Sequence, residues 1–402
     1  MGALTGIRVV DLTRILAGPF CTALLADMGA DVVKIESPKG GDPVRGQGEI
    51  KDGLSWYFAL FNRNKRSITL DLYSDEGKQV LADMLQDADV LVENFKPGVL
   101  AKMGFTQERL EALNPALVSA SVNGFGSSGP YADRPAFDFI AQAMSGLMSV
   151  TGSASGGPTR AGPPLSDLIA GLYCAFGIVS ALAKRGIEGD GRGQHVEASL
   201  VNGLISMLAY FAADYFSVGK LPERSGNDHP IVAPYGLFEA QDGSIAVAAS
   251  QLVTVDRFLE VVGLTHILED ERFATNSARM ANREALNAIV NEATRHQTVD
   301  YWIEALNAAG CPCGKVQDLA EVFSDPQVLH QEMVQEMDYP GYGPVKVTGF
   351  PVKMSRTPCE MQRPAPRLGE HTDDVLKGLG YDDEKIAVLR AASIFGETHR
   401  QG

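Results

Sequence analysis

Short apolar runs alternate with amphipathic stretches through the first third of the chain. Residues 8–12 read as a buried strand, 17–28 as a helix and 31–36 as a second strand, with Gly29 where a helix-terminating glycine belongs. The pattern repeats with strands at 67–72, 90–93 and 117–122, separated by helices at 75–86 and 107–113. Strands spaced by helices of this length pair in parallel through right-handed crossovers, which predicts an α/β fold with a doubly wound sheet.

Longer helical periodicity follows at 139–150, 167–184 and 201–216, with a loop of small residues, Gly152-Ser-Ala-Ser-Gly-Gly-Pro158, between the first two. A polar stretch at 221–234, containing Pro222, Pro230 and Pro234, reads as a linker. Beyond it, Gln241-Asp-Gly243 separates two strand-like runs as a hairpin would, and helices are expected at 255–262, 283–294 and 299–309. This describes a smaller α+β domain. Residues 345–354 alternate as extended strand, and a final helix is expected at 371–379.

Composition narrows the function. The net charge of −15 gives nucleic acid and anionic membrane surfaces no electrostatic attraction as main partners. The uncharged run 168–182 is shorter than the roughly 20 residues a bilayer requires, so it reads as a buried helix. Five scattered cysteines, an odd number, with no signal-peptide pattern point to a reducing, cytoplasmic setting. Cys311-Pro-Cys313 has neither metal nor redox spacing, and no metal site is expected.

Neither a Gly-x-Gly-x-x-Gly nor a phosphate-loop motif is present, which removes the fingerprint of a nicotinamide dehydrogenase. The turn after the first strand is Thr13-Arg-Ile-Leu-Ala-Gly-Pro19, at a strand end where an anion can meet a helix N-terminus; from spacing alone a plain turn with a proline in the first helical turn is slightly favoured. Cations gather at predicted strand ends, as Lys39 with Arg45, as Asn62-Arg-Asn-Lys-Arg66, and as Lys96 with Lys102. In an acidic protein this favours a phosphate-bearing ligand, although each cluster alone reads as a solvated face. Asp167 follows Gly162-Pro-Pro-Leu-Ser166 and opens the apolar helix. Helix capping and nucleophilic catalysis ask the same of such a carboxylate, and both readings stand. His195 reads as a structural residue, His229 as a linker residue within reach of a site, and His371 as a surface residue.

The runs Arg8-Val-Val-Asp-Leu-Thr-Arg-Ile-Leu-Ala-Gly-Pro19, Gly29-Ala-Asp-Val-Val-Lys-Ile-Glu36, Asn64-Lys-Arg-Ser-Ile-Thr-Leu-Asp71 and Val92-Glu-Asn-Phe-Lys-Pro-Gly98 resemble the family III CoA-transferases, also called CaiB/BaiF. Gly191-Arg-Gly-Gln194, Pro234-Tyr-Gly-Leu-Phe238 and Leu368-Gly-Glu-His-Thr372 continue the resemblance in order along essentially the whole chain. It implies a Rossmann-like large domain built from both chain ends and an interlocked homodimer. The implied division is 1–200 for the N-terminal part of the large domain, 201–234 for helix and linker, 235–323 for the small domain, 324–349 for a return linker, and 350–402 rejoining the large domain.

The family's catalytic aspartate matches Asp167, which would carry CoA from a thioester to a carboxylic acid through aspartyl anhydride and aspartyl-CoA intermediates. Coenzyme A would be a substrate, with no tightly bound cofactor. The residues implied to bind CoA are Leu16, Ala17 and Pro19 at the first turn, Leu70, Asn94, Phe95, Lys102 and Met103, and Phe137. Lys39 joins them as a phosphate-binding cation, because position 37 is a serine here and an arginine in the formyl-CoA transferases. Leu16 and Lys102 likewise replace a glutamine and an arginine of those enzymes, and residues 227–232 lack their glycine-rich loop. These departures speak against formyl-CoA and oxalate as substrates. Short dicarboxylates would need a second cation, for which Arg14, Arg45 and Arg63 are candidates. The alternatives are a 2-methylacyl-CoA racemase and a CoA-binding protein without catalysis. A racemase carries a histidine before the aspartate matching Asp138, where this chain has Phe137.

Overall fold

The computed structural model describes residues 1–189 and 191–396. The chain divides into two compact units, one of residues 1–146, 161–209 and 327–402, the other of residues 147–160 and 210–326.

The first unit is built on six parallel strands, β1 (Arg8–Asp11), β2 (Asp31–Glu36), β3 (Lys65–Thr69), β4 (Val90–Glu93), β5 (Val118–Asn123) and β6 (His195–Ser199). Their order across the sheet is β3-β2-β1-β4-β5-β6, that of a Rossmann-type fold. Val10, Val33, Ile68 and Leu91 are buried in one apolar core with Leu81 and Leu85 of the helix Asp75–Gln86 and with Leu376 and Leu389 near the C-terminus. The C-terminal segment is also tied to the sheet by hydrogen bonds: His371 N donates to Ser67 O (2.9 Å) and Asp71 N to Ile394 O (2.9 Å). After the expected helix, observed at Thr372–Gly378, comes a further one at Asp383–Ala391, so the former is not the last.

The helix Ala17–Asp27 and the 24-residue helix Leu165–Glu188 lie against each other. Gly171 makes this possible, since a Cβ there would stand 2.5 Å from Ala17 O and 3.3 Å from Cys21 N. Gly177 likewise lets the long helix approach β6, where a Cβ would meet Val196 Cγ1 at 2.7 Å. Its segment Leu165–Ile187 is longer than the sequence suggested and has the length and hydropathy of a membrane span, yet Ala170, Cys174, Ile178 and Ala181 are buried in the unit. Two other predicted helices are broken. The stretch 139–150 splits into Asp138–Met144 and Leu147–Val150 around Gly146, whose φ of 90° ends the first. The stretch 201–216 becomes Leu200–Ser206 and Ala209–Val218.

The second unit holds the antiparallel hairpin Tyr235–Ala240 and Gly243–Ala248, with Cys313–Lys315 as a third strand. Helices Leu252–Val261, Arg283–Thr294 and Val299–Ala308 pack on it through Phe258, Leu286, Val290, Trp302 and Leu306. Residues 324–349, expected as a linker, carry an antiparallel hairpin of Val334–Tyr339 with Gly343–Thr348. This hairpin lies in the first unit, where Tyr339 and Val345 share a buried cluster with Val44 and Phe58.

Candidate active site

Strand order reverses between β1 and β4, and in open parallel sheets ligands bind outside the carboxyl ends of strands at such a point. Here the loops after the two strands are joined by Asn94, which accepts from Arg14 N (2.9 Å) through Oδ1 and donates to Arg14 O (2.7 Å) through Nδ2. Beside them lies a cavity of about 210 Å³ lined by Arg14, Pro38, Leu70, Tyr73, Phe95 and Met103, among others. The Arg14 guanidinium sits 5.9 Å from the Phe95 ring centre. The wall combines apolar side chains with the Arg14 cation and the carboxylates of Glu36, Asp42 and Asp71, of which Glu36 and Asp42 are neutralised by Arg45 and Lys34. Its apolar part suits a flat heteroaromatic group with Arg14 toward a phosphate.

Leu70, Phe95 and Met103, which the resemblance implies as CoA contacts, line one cavity together with Tyr73 and Pro38, which the sequence reading did not name. Leu16, Ala17 and Pro19 have buried side chains, so what they offer a ligand is backbone. Lys39 and Lys102 are exposed neighbours of the cavity's Pro38 and Met103 and do not line it. Phe137 is also outside the lining; it is 70% exposed and precedes the helix Asp138–Met144.

Asp167 lies in the first turn of the long helix, three residues beyond the N-cap Pro164, which makes no side-chain capping bond. The helix begins at Leu165, two residues before the sequence reading placed it, so Asp167 is not the capping residue. The approach to it is fixed by Asp138. One oxygen of Asp138 accepts from Ser166 N and Ser166 Oγ, both at 3.0 Å, and the other accepts from Gln142 Nε2 at 2.8 Å. Gln142 Oε1 in turn accepts from Ala161 N at 2.8 Å. Burial, and then the charge of Asp138, push the Asp167 carboxyl up to about 7. A carboxylate held out of water is a stronger nucleophile than one in solution. The Tyr57 phenol is pushed up to about 12 by burial and then by the charges of Asp167 and Asp42, so it stays protonated beside the site. Nothing in Trp56-Tyr57-Phe58 distinguishes Tyr57 from a core aromatic.

Most of the cations expected to meet phosphate are spent inside the fold. Arg45 makes a two-pronged pair with Glu36 (2.7 and 2.6 Å), Arg63 with Asp27 (3.1 and 2.7 Å) and Arg66 with Asp31 (2.9 and 2.5 Å), while Lys65 is buried against Asp11 (3.2 Å). Arg14, Lys39, Lys96 and Lys102 carry no ion pair among the described residues. His195 lies against Ser119 Oγ (2.9 Å) and Ser121 Oγ (3.3 Å), and His371 Nδ1 accepts from Ser67 N (3.2 Å). In the second unit the His229 ring packs between Tyr210 and Tyr235. No group of three or more potential metal ligands occurs among the described residues.

Residues 4–372 match the model of CoA-transferase family III. The chain belongs to that family. It is an acyl-CoA:carboxylate CoA-transferase. Among its relatives, the acetyl-CoA:oxalate CoA-transferase of Acetobacter aceti is 40% identical over 92% of this chain and 94% of its own. The human succinyl-CoA:glutarate CoA-transferase is 35% identical over 98% of this chain and 91% of its own. A CaiB/BaiF family protein from Brucella suis has the same fold, with a TM-score of 0.83 and 38% identity, covering 94% of this chain and 99% of that one.

Proposed function

We propose that Asp167 is the nucleophile of this family III CoA-transferase and that the acyl-CoA lies along the crevice between the β1 and β4 loops. The observation that carries the reading is the placement of Asp167: a carboxylate in a helical first turn, set by Asp138 through Ser166, mostly withdrawn from water and not engaged in capping.

The step sequence needs no external proton or ATP. A carboxylate oxygen of Asp167 attacks the thioester carbonyl, and the C–S bond breaks to release CoA thiolate and leave an acyl–aspartyl anhydride. The thiolate then attacks the aspartyl carbonyl, expelling the donor carboxylate and forming an aspartyl-CoA thioester. The acceptor carboxylate attacks that thioester, releasing thiolate and forming a new anhydride. Attack of the thiolate on the acceptor's acyl carbonyl gives the product thioester and restores Asp167. Each intermediate hydrolyses if water enters, which is why a withdrawn nucleophile suits the task.

Short dicarboxylic acids are the proposed substrates, with succinyl-CoA as donor; relatives named for oxalate and glutarate support this class. The oxalate transferase among them supports keeping oxalate within this class, beside the expectation drawn from the departures at Leu16, Ser37 and Lys102. Of the three arginines considered for a second carboxylate, Arg45 and Arg63 are held by Glu36 and Asp27, and Arg14 lines the cavity assigned here to CoA, so the reading assigns none of them to the acid. The reading extends to an interlocked homodimer in the cytoplasm. Leu172, Tyr173 and Phe176 on the long helix, with Phe137, Phe139 and Ile140, present apolar side chains that a partner subunit would cover. Sedimentation of the purified protein at the monomer mass would refute the dimer.

The deciding experiment is intact-protein mass spectrometry after incubation with succinyl-, glutaryl-, oxalyl- and acetyl-CoA. Wild type is expected to gain the mass of an acyl group or of CoA, and Asp167→Ala none. An unmodified wild type that instead exchanges the proton beside the thioester would replace this reading with racemase chemistry.

A further inference from the structure

The turn that follows β1 does not hold itself together. Ile15 has φ 70°, the left-handed region, which a β-branched residue adopts only under constraint. Five consecutive backbone groups around it are each taken by a side chain. Thr13 N donates to Asp11 Oδ1 (2.8 Å), and Thr13 O accepts from Lys34 Nζ (2.7 Å). Arg14 N and O are both taken by Asn94. Ile15 N donates to Asp42 Oδ1 (3.1 Å), an oxygen that also accepts from Val44 N (3.1 Å). The clamping side chains come from four places in the sequence.

Two of them form an ion pair with no access to water. Lys34 Nζ lies 2.9 Å from Asp42 Oδ2, with side chains 0% and 1% exposed. Below it, the equally buried Lys65 donates to Asp11 Oδ2 (3.2 Å) and to Pro19 O (2.9 Å), anchoring the far end of the same turn. Buried ion pairs seldom add net stability over apolar packing, and their best-attested use is to specify one geometry. The geometry specified here points Arg14 into the cavity and sets the start of the helix Ala17–Asp27, whose first amides have no partner within the helix. Asp42 also acts on Tyr57, the residue whose phenol feels the charge of Asp167.

We infer that Asp42 and Lys34 are positioning residues for acyl-CoA: they hold Ile15 in its left-handed conformation, and so aim Arg14 and the helix start at the ligand. The inference rests on the proposed placement of CoA in the crevice. Loss of the clamp lets Ile15 relax and misplaces the turn, which weakens binding of CoA without touching the acceptor acid.

The test compares wild type with Asp42→Ala, Asp42→Asn, Ile15→Gly and the double variant Ile15→Gly/Asp42→Ala. The KM values for donor thioester and acceptor acid are read from turnover. The Kd of free CoA is read by calorimetry, with each change also placed on Asp167→Ala so that chemistry cannot mask binding. Asp42→Ala is expected to raise the KM for the thioester and the Kd of CoA about tenfold or more while leaving the acceptor KM within about twofold. Asp42→Asn, which keeps an acceptor for Ile15 N but loses the charge, falls between and serves if Asp42→Ala does not fold. Glycine adopts φ 70° freely, so Ile15→Gly restores part of the binding that Asp42→Ala removes. Unchanged CoA binding in folded Asp42→Ala or Asp42→Asn would overturn the inference alone, as would a double variant no better than Asp42→Ala. Absence of CoA binding by wild type would overturn the crevice reading and this inference with it.

Discussion

Replacing Asp167 by asparagine should make the protein more stable, and only where the carboxyl would be charged. The substitution keeps size and shape but removes ionisation. Burial and Asp138 hold this carboxyl at about 7 in the folded chain, against 3.8 for an unperturbed one. The folded state therefore binds this proton more tightly than the unfolded state. Below about pH 4 both states carry it and nothing is lost; as pH rises toward 7 the unfolded chain ionises first, and stability falls until the folded group ionises too. The difference of about 3 units corresponds to a ceiling of about 4 kcal/mol. Partial solvent access to the carboxyl lowers the expected value to about 2 kcal/mol. For a protein of this size that is a rise in Tm of about 2 °C at pH 8. Calorimetric scans of wild type and Asp167→Asn at pH 8 and pH 5 measure it, with the gap shrinking by more than half at the lower pH. Equal Tm values at pH 8, or a gap that does not change with pH, would refute the argument that this carboxylate is held at a cost in stability. The same titration requires the rate of covalent adduct formation in wild type to rise with pH through about 7, because the nucleophile is the ionised form.

Other outcomes follow from single contacts. Asp138→Asn removes the negative charge that helps raise Asp167, so the pH midpoint of adduct formation should fall while the rate drops about tenfold or more through the loosened hold on Ser166, both visible in a pH–rate profile. Gly171→Ala places a Cβ 2.5 Å from Ala17 O and should cost about 2 kcal/mol or more in a denaturant titration. Gly186→Ala, at a helical position of the same chain open to space, should gain about 0.5–1 kcal/mol in that titration. Arg14→Ala should weaken CoA about tenfold by calorimetry and flatten the salt dependence of binding, because it is the cation lining the cavity.

Local pattern determined most of the sheet. The strands Asp31–Glu36 and Val90–Glu93 and the helix Asp75–Gln86 lie where period and turn residues put them, and the others shift by a few residues at their ends. These elements are set by neighbours in sequence: an apolar strand between two turns, a serine cap, a stripe of leucines. The helix breaks at Gly146 and after Ser206 were not legible, because a glycine or a methionine inside an apolar run is compatible with continuing the helix. Asp167 was visible because proline and serine before an apolar helix mark a polar group entering a dry place. The helix start at Leu165, after Pro164, removed only the capping reading; the nucleophilic role is the proposal.

What the sequence by itself determined was the alternation that builds a parallel sheet, the ordered motifs of a CoA-transferase, and the aspartate at the head of the long helix. Tertiary structure alone decided which charges face solvent or ligand. Arg63 meets Asp27 across 36 positions, Lys65 meets Asp11 across 54, and Lys34 reaches Thr13 and Asp42 from one strand away. A cluster of basic residues in the one-dimensional chain looks available for phosphate, yet burial forces each charge to find a partner, and that partner is chosen by which strands lie side by side. The strain at Ile15 and the approach of Gly171 to Ala17 belong to the same class, because a close packing distance or a left-handed turn has no signature until the segments that impose it are brought together.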